Sequence, residues 1–201
     1  MNTVPATSVY ERTLGARLDE LDARLRSYFR ALPPGAVGVG RGTFEAVGPT
    51  SRLLRPVFAA LVRPRILFAE SGRDVPFTVR NAPQPDGSLT AWRDVHFPGG
   101  TRTMQDRMRA EGAALIDRIG RRGELEVTLD VAIIDGGLRL ASRRLAWWIG
   151  GVRIPLPPLA RVTVDERMRG PRQHVDARVH VALLGEVFRY SGSFTYEVAA
   201  R

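Results

Sequence analysis

The stretch Trp92-Arg93-Asp94-Val95-His96-Phe97 places an indole, a guanidinium, a carboxyl and an imidazole within six residues. In an extended chain alternate side chains share a face. Trp92, Asp94 and His96 therefore fall on one side of a strand. An Asp–His pair two residues apart can orient an imidazole and tune it for general acid–base work. The competing reading is a half-exposed polar face on which Trp92 covers a neighbour. Arg93 falls on the other side, among Leu89, Ala91, Val95 and Phe97. A charge in such company needs a partner if it is buried; Asp106, Glu111, Glu166 or an anionic ligand would supply one. His96, Asp94 and Arg93 are the candidate catalytic groups.

A second constellation lies near the C-terminus, in "LLGEVFRYSGSFTYEV" (Leu183 to Val198). Phe188, Tyr190, Phe194 and Tyr196 share one strand face, and Gly192 interrupts the row, leaving either a bend or room. The row is core or the wall of a pocket, and buried tyrosine hydroxyls need partners in either case. The stretch "RLAWWIGGVRIPLPPLA" adds Trp147 and Trp148, which point to opposite faces of an extended chain, so at most one of them faces an interior. With Trp92, these six aromatics are the ligand-binding candidates. His174 and His180 share a face with Asp176 and Arg178, opposite Val175, Val179 and Val181, where solvent is expected. A metal site would want a third ligand, and no G-x-S-x-G marks Ser191 or Ser193 as a nucleophile. No metal or cofactor is expected.

The elements that must position these groups follow from the apolar periodicity. Leu14, Leu18, Leu21, Leu25, Tyr28 and Leu32 form one helical stripe. It opens on a Ser8–Glu11 capping-box spacing and ends at Pro33-Pro34. One long helix is predicted, docked on its own domain; the stripe would also serve as a dimer seam. Arg52 to Arg65 reads as a second, short amphipathic helix: a cover for one end of the fold, a mobile lid, or a face that touches membrane. "GVGRGTFEAVG" is a glycine-rich strand, bent or at an edge. From Val75 the period becomes two. Strands are predicted in "VPFTVR", "SLTAWRDVHF", "ELEVTLDVAI", "LRLASRRLAWW", "RVTVDERM", "HVDARVHVALLG" (running through Leu183) and the aromatic segment, with turns at Pro85-Asp86-Gly87 and Asp135-Gly136-Gly137. The fold predicted is mainly β with added helices. It is a single domain, a curved antiparallel sheet or closed barrel of about eight strands, carrying a long N-terminal helix and the short second one. Residues 1–33 form a helical extension and 34–201 the β domain.

Composition narrows the function. The formal charge is +9, and all 30 basic residues are arginine, but they are scattered. Nucleic-acid binders gather charge on one face, often with stacking aromatics, so no specific nucleic-acid role is expected. There is no cysteine, which excludes disulfides and thiolate chemistry and suits a reducing cytoplasm. The first twenty residues lack the apolar run of a signal peptide, and no run is long enough to span a bilayer.

With the strands placed, the chain resembles the bacterial family catalogued as domain of unknown function 4166, from about Leu32 to Val198. The resemblance rests on "AWRDVHFPGGTRTMQDRM", "WWIGGVRIPLPPLARVTVDE" and "LLGEVFRYSGSF". Val95-His96 stands where the family usually has an aromatic or basic residue before its phenylalanine. Some members look fused to a nicotinamide-binding reductase-like domain, which implies a partner reductase. This chain has no G-x-G-x-x-G between strand and helix, so no dinucleotide site follows. The expected function is binding of a hydrophobic or aromatic small molecule inside the curved sheet. The alternative is a cofactor-free cyclase or isomerase of bacterial specialised metabolism using the same pocket. Whether a titratable group points into the cavity separates the two.

Overall fold

In the computed structural model, residues 7–200 are described. The first six residues of the helical extension, with the start of the segment read as lacking an apolar leader, lie outside them. The described residues form eleven strands and three short α-helices, two of the helices N-terminal to β1 and the third between β1 and β2. The strands are β1 (Ala36–Pro49), β2 (Val75–Pro83), β3 (Leu89–Phe97), β4 (Gly100–Glu111), β5 (Ala114–Ile119), β6 (Leu125–Ile134), β7 (Gly137–Ile149), β8 (Val152–Pro155), β9 (Ala160–Arg169), β10 (Arg172–Val181) and β11 (Gly185–Ala200). All neighbours are antiparallel. The order β6-β5-β4-β3-β2-β1-β11-β10-β9-β7 closes because β6 also pairs with β7. Ten strands form the barrel, and β8 lies outside it, paired to β7. Closure removes the exposed edges an open sheet would present.

The expectation of about eight strands fell short by three: β4, β5 and β8. In β4 the inward side chains are Met104, Asp106 and Met108, which break the apolar alternation. β5 has six residues and β8 four, too short for a period to show. Tight turns do the linking where glycine was read. Asp135 and Gly136 have φ 49° and 73°, the double left-handed pair that a two-residue hairpin turn demands. β10 ends at Val181, not Leu183; Leu183 sits in the turn with φ 68° and its side chain fully exposed.

The single long helix is instead three pieces. α1 (Val9–Leu14) starts on the predicted Ser8–Glu11 capping box and stops at Gly15, whose φ of 56° leaves the helix. A 3-10 turn (Gly15–Glu20) follows, and Asp22 then caps α2 (Ala23–Phe29) through Arg24 N–H. The Asp22 N–H is diverted to the Gly136 carbonyl at 2.9 Å, which anchors the break on the β6–β7 turn. The stripe survives the breaks. Leu14, Leu18, Leu21 and Leu25 are buried with Phe29 against Met108, Leu115, Val127, Leu129 and Leu138, plugging one end of the barrel. The apolar stripe that would have made a dimer seam is thus spent within the chain.

The opposite end carries α3 (Arg55–Val62), entered through a 3-10 turn at Arg52–Leu54 and with Pro56 tolerated in its first turn. Phe58 of α3 packs on Phe188, ring centres 5.3 Å apart. At this end β7 and β9 part company. They pair only over Leu138–Ala141, and β7 then bulges at Arg143. β8 and the loop after it occupy the side of the gap, held by Leu156 N–H to the Leu145 carbonyl at 2.9 Å.

Candidate functional site: a cavity with a charged belt

The barrel interior holds a cavity of about 510 Å³, within the range of small-molecule sites. Its wall is made by the inward residues of the strands, and most of it is apolar. Three of the aromatic row, Phe188, Tyr190 and Phe194, line it, as does Trp147. Gly192 is where the β1 backbone comes closest: a Cβ there would lie 2.2 Å from the Thr43 carbonyl oxygen and 2.6 Å from the Phe44 Cα. The gap in the row is therefore a bend, filled by β1, and β1 itself bulges between Phe44 and Ala46. Gly40 plays the reciprocal part. A Cβ on it would meet Phe194 at 2.9 Å, so the glycine-rich strand makes room for the β11 rings to lie down. Phe44 stacks on Phe77 at 3.8 Å and leans on Tyr190.

Across this apolar wall runs a belt of charge. Arg93 projects inward from β3 and pairs with Asp106 of β4. Asp106 lies opposite Ala91, and Asp117 of β5 lies two residues from the partner of Asp106, Ile119. Arg93, Asp106 and Asp117 thus step diagonally across three consecutive strands, a spacing within reach of long side chains. Glu166 of β9 enters the same cavity and accepts from the Gln173 side-chain amide. Tyr28 and Asn81, hydrogen-bonded at 3.3 Å, close the belt toward α2.

The belt is short of positive charge: three carboxyls share one guanidinium. Burial pushes the Asp117 carboxyl well above the usual range, the neighbouring charge of Asp106 adds to this, and Arg93 offsets only part. Its Oδ1 is fully buried without a hydrogen-bond partner. Burial likewise raises Glu166 to about 7, against the pull of Gln173 and Arg93. The phenols of Tyr10, Tyr28 and Tyr190 are held neutral, chiefly by burial. The interior therefore holds one ion pair and two carboxyls in which burial favours the protonated form.

The structure brings only part of the sequence-predicted set together. Arg93 is inside, as its phase required, and Asp106, one of the partners named for it, is the one it takes. Asp94 and His96 are not in the cavity. His96 is exposed on the outer face, with Nδ1 3.1 Å from Thr101 Oγ1 and Nε2 3.4 Å from Thr78 Oγ1. Asp94 accepts from Thr103 Oγ1 at 2.6 Å. Trp92 is on that outer face too, beneath the Arg80 guanidinium at 5.0 Å. Trp148 also points outward, donating to Glu126 at 3.0 Å and stacked under Arg118. Tyr196 lies below the main cavity, edge-on to Tyr28 at 4.6 Å. His174 was expected in solvent; it is 1% exposed, wedged on the outer face between Ser191 and Ser193 (3.4 and 3.2 Å). The nearby Asp176 is occupied by Arg178 and Arg189, so it orients no imidazole.

Sequence reasoning missed Asp117 altogether and saw Asp106 and Glu166 only as counter-charges. The signal available was an acidic residue at an inward position of an otherwise apolar strand, visible once β4 and β5 are recognised.

A family model described as domain of unknown function (DUF4166) matches residues 21–194. An uncharacterised protein, YndH of Bacillus subtilis (strain 168), is 29% identical over 169 residues, covering 79% of this chain and 82% of the relative. No solved structure gives a significant match.

Proposed function

Since the chain belongs to the DUF4166 family, whose description assigns no activity, we propose from the cavity itself that it binds a hydrophobic or aromatic small molecule inside the barrel. The observation that carries this reading is the mostly apolar space of about 510 Å³ inside the barrel, crossed by a belt of polar groups. Apolar walls with a few fixed polar groups are how proteins hold and orient small ligands. The belt sets the chemistry of the ligand's polar end. Arg93 is already paired, and the Asp117 and Glu166 carboxyls line the space beside it. A hydroxyl, phenol or amine fits this site; a carboxylate would meet two further carboxyls and no free cation. Native mass spectrometry of protein purified from its own host tests the proposal. A retained species with an apolar body and a donor-bearing end supports it. Failure to retain any such species, together with no binding of long-chain alcohols or amines in titration, overturns it.

A second reading is favoured by one specific observation: two titratable carboxyls, Asp117 and Glu166, point into that cavity. A buried carboxyl raised to about 7, as Glu166 is, is suited to general acid catalysis, as cofactor-free cyclisation or isomerisation of the bound molecule requires. In this reading the acid–base groups are Asp117 and Glu166, with Arg93, Tyr28 and Tyr190 beside them. His96 and Asp94 have no part in it. If the retained molecule is converted, Glu166→Gln abolishes turnover while leaving binding intact; unchanged turnover would refute the acid–base role.

A further inference from the structure

Eleven large hydrophobic side chains are exposed among the described residues. Nine of them belong to one end of the barrel, the end that α3 covers; the other two are Ile134 and Val198. The nine come from three separate segments: the entry to α3 (Leu53, Val57), the β7–β8 hairpin and its following loop (Val152 and Leu159 among them), and the β10–β11 turn (Leu183, Leu184). Leu183 is fully exposed and Leu53 is 89% exposed. The segments are neighbours: Ala182 N–H bonds the Leu159 carbonyl at 2.7 Å, and Thr50, just before α3, bonds Val187 at 3.1 Å. Together they ring an opening, because the cavity wall reaches the exposed Val57, Leu156 and Leu184 here but ends on buried Tyr10 at the opposite end.

We propose that this rim docks on the surface of a lipid bilayer carrying anionic headgroups, with the cavity mouth facing the hydrocarbon. Concentrated exposed apolar surface marks an interaction site, and the charges around it choose the partner. Arg52, Arg55, Arg63, Arg121, Arg122 and Arg161 are exposed at the same end, and none is in an ion pair among the described residues. Two acidic neighbours are engaged, Glu70 with Arg102 and Glu186 with Arg178, and Glu124 accepts the Arg122 backbone N–H. Six unpaired arginines still outnumber the acidic groups left at this end. Leucine tips between unpaired arginines match the apolar and anionic layers of a membrane interface. A second copy on the same face would bring these arginines against each other, which disfavours a self-dimer. Separate projections around a hole suit a deformable partner better than a flat protein surface. Direct exchange of a hydrophobic ligand with the bilayer would follow, and that consequence alone rests on the binding function proposed above.

Vesicle flotation tests the docking without any ligand. Full-length protein should float with vesicles of phosphatidylcholine mixed with phosphatidylglycerol, and less with phosphatidylcholine alone or at high salt. Leu53→Ser combined with Leu183→Ser should weaken binding about tenfold or more, given the apolar area lost. Arg52→Glu with Arg55→Glu should weaken it only on the anionic vesicles. Ile134→Ser, at the other end, should leave it unchanged. These positions are exposed, so circular dichroism should show each variant folded. The proposal is overturned by absence of flotation, by equal loss in Ile134→Ser, or by a dimer in ultracentrifugation that dissociates on Leu183→Ser. Retained ligand in a protein that does not float would overturn docking and leave the binding function standing.

Discussion

The outside and the inside of this barrel treat carboxyl groups in opposite ways. On the outer face Asp176 accepts paired hydrogen bonds from both Arg178 and Arg189, between 2.7 and 3.2 Å. Despite partial burial, those bonds hold its carboxyl below the usual range. Glu126 is likewise gripped by Arg153 and by the Trp148 indole, and its carboxyl too is lowered against its burial. Inside, one arginine serves Asp106, Asp117 and Glu166, and the last two rise. In a chain with 30 basic residues, arginine is not scarce; it has not been placed there. The outer clusters are compensated and stitch strands together, whereas the inner belt leaves two carboxyls beside the cavity without a cation of their own. That is a poor arrangement for stability and a suitable one for gripping or protonating a guest.

The contrast breaks most visibly at the ion pairs. Asp106→Ala strips the carboxylate partner from Arg93 in the barrel interior, where Asp106 is almost fully buried, and removing one member of a buried pair costs about 3–5 kcal/mol. Asp176→Ala releases two arginines that are 36–41% exposed and can turn to water, so its expected cost is about 1 kcal/mol. Urea unfolding of both variants measures the difference. Equal losses would show that inner and outer clusters do the same structural job.

Next in size is a pH dependence. The folded protein holds the Glu166 proton up to about 7, against an ordinary value of 4.5. Below the lower value both states are protonated and nothing differs. Between the two the folded state keeps a proton that the unfolded chain has released, so stability falls as pH rises through this window. At 1.36 kcal/mol per unit the full loss is about 3 kcal/mol. Glu166→Gln cannot ionise, so unfolding free energies at pH 5 and pH 8 should lie closer together in the variant than in the parent. A difference that is the same in both would place the Glu166 carboxylate in contact with water.

What could be read from sequence tracks the same division. Strands with clean alternation, such as Leu125 to Ile133, declared both their period and their inner face. The aromatic row of β11 declared itself as interior, and three of its four rings reach the cavity. The parts that escaped reading are those where an inward position carries charge. β4 presents Met104, Asp106 and Met108 to the interior, and β5 presents Leu115, Asp117 and Ile119 in only six residues. Period alone makes both look like loop, so Asp117 goes unnamed and Asp106 reads only as a counter-charge for Arg93. His96 shows the complementary limit: a histidine beside an aspartate looks catalytic in one dimension, and only the closure of the sheet places it on the outer face. The N-terminal stripe gave the right buried residues and the wrong continuity, since apolar spacing cannot see that Asp22 N–H will prefer the Gly136 carbonyl.

The smallest expected effect sharpens the contrast most cheaply. His96 and Arg93 are three residues apart on β3, on opposite faces, so one strand offers a matched pair of probes. The His96 imidazole touches only Thr78 and Thr101 hydroxyls on an exposed surface. Surface substitutions of that kind stay within about 0.5 kcal/mol. His96→Ala should therefore leave both unfolding free energy and ligand retention unchanged. Arg93→Met, which keeps the apolar stem and removes the charge, leaves Asp106 buried without its cation. It should lower stability and alter retention of any guest whose polar end meets the belt. A loss of ligand in His96→Ala with Arg93→Met unaffected would move the functional face to the outside of the barrel and leave the cavity as packing.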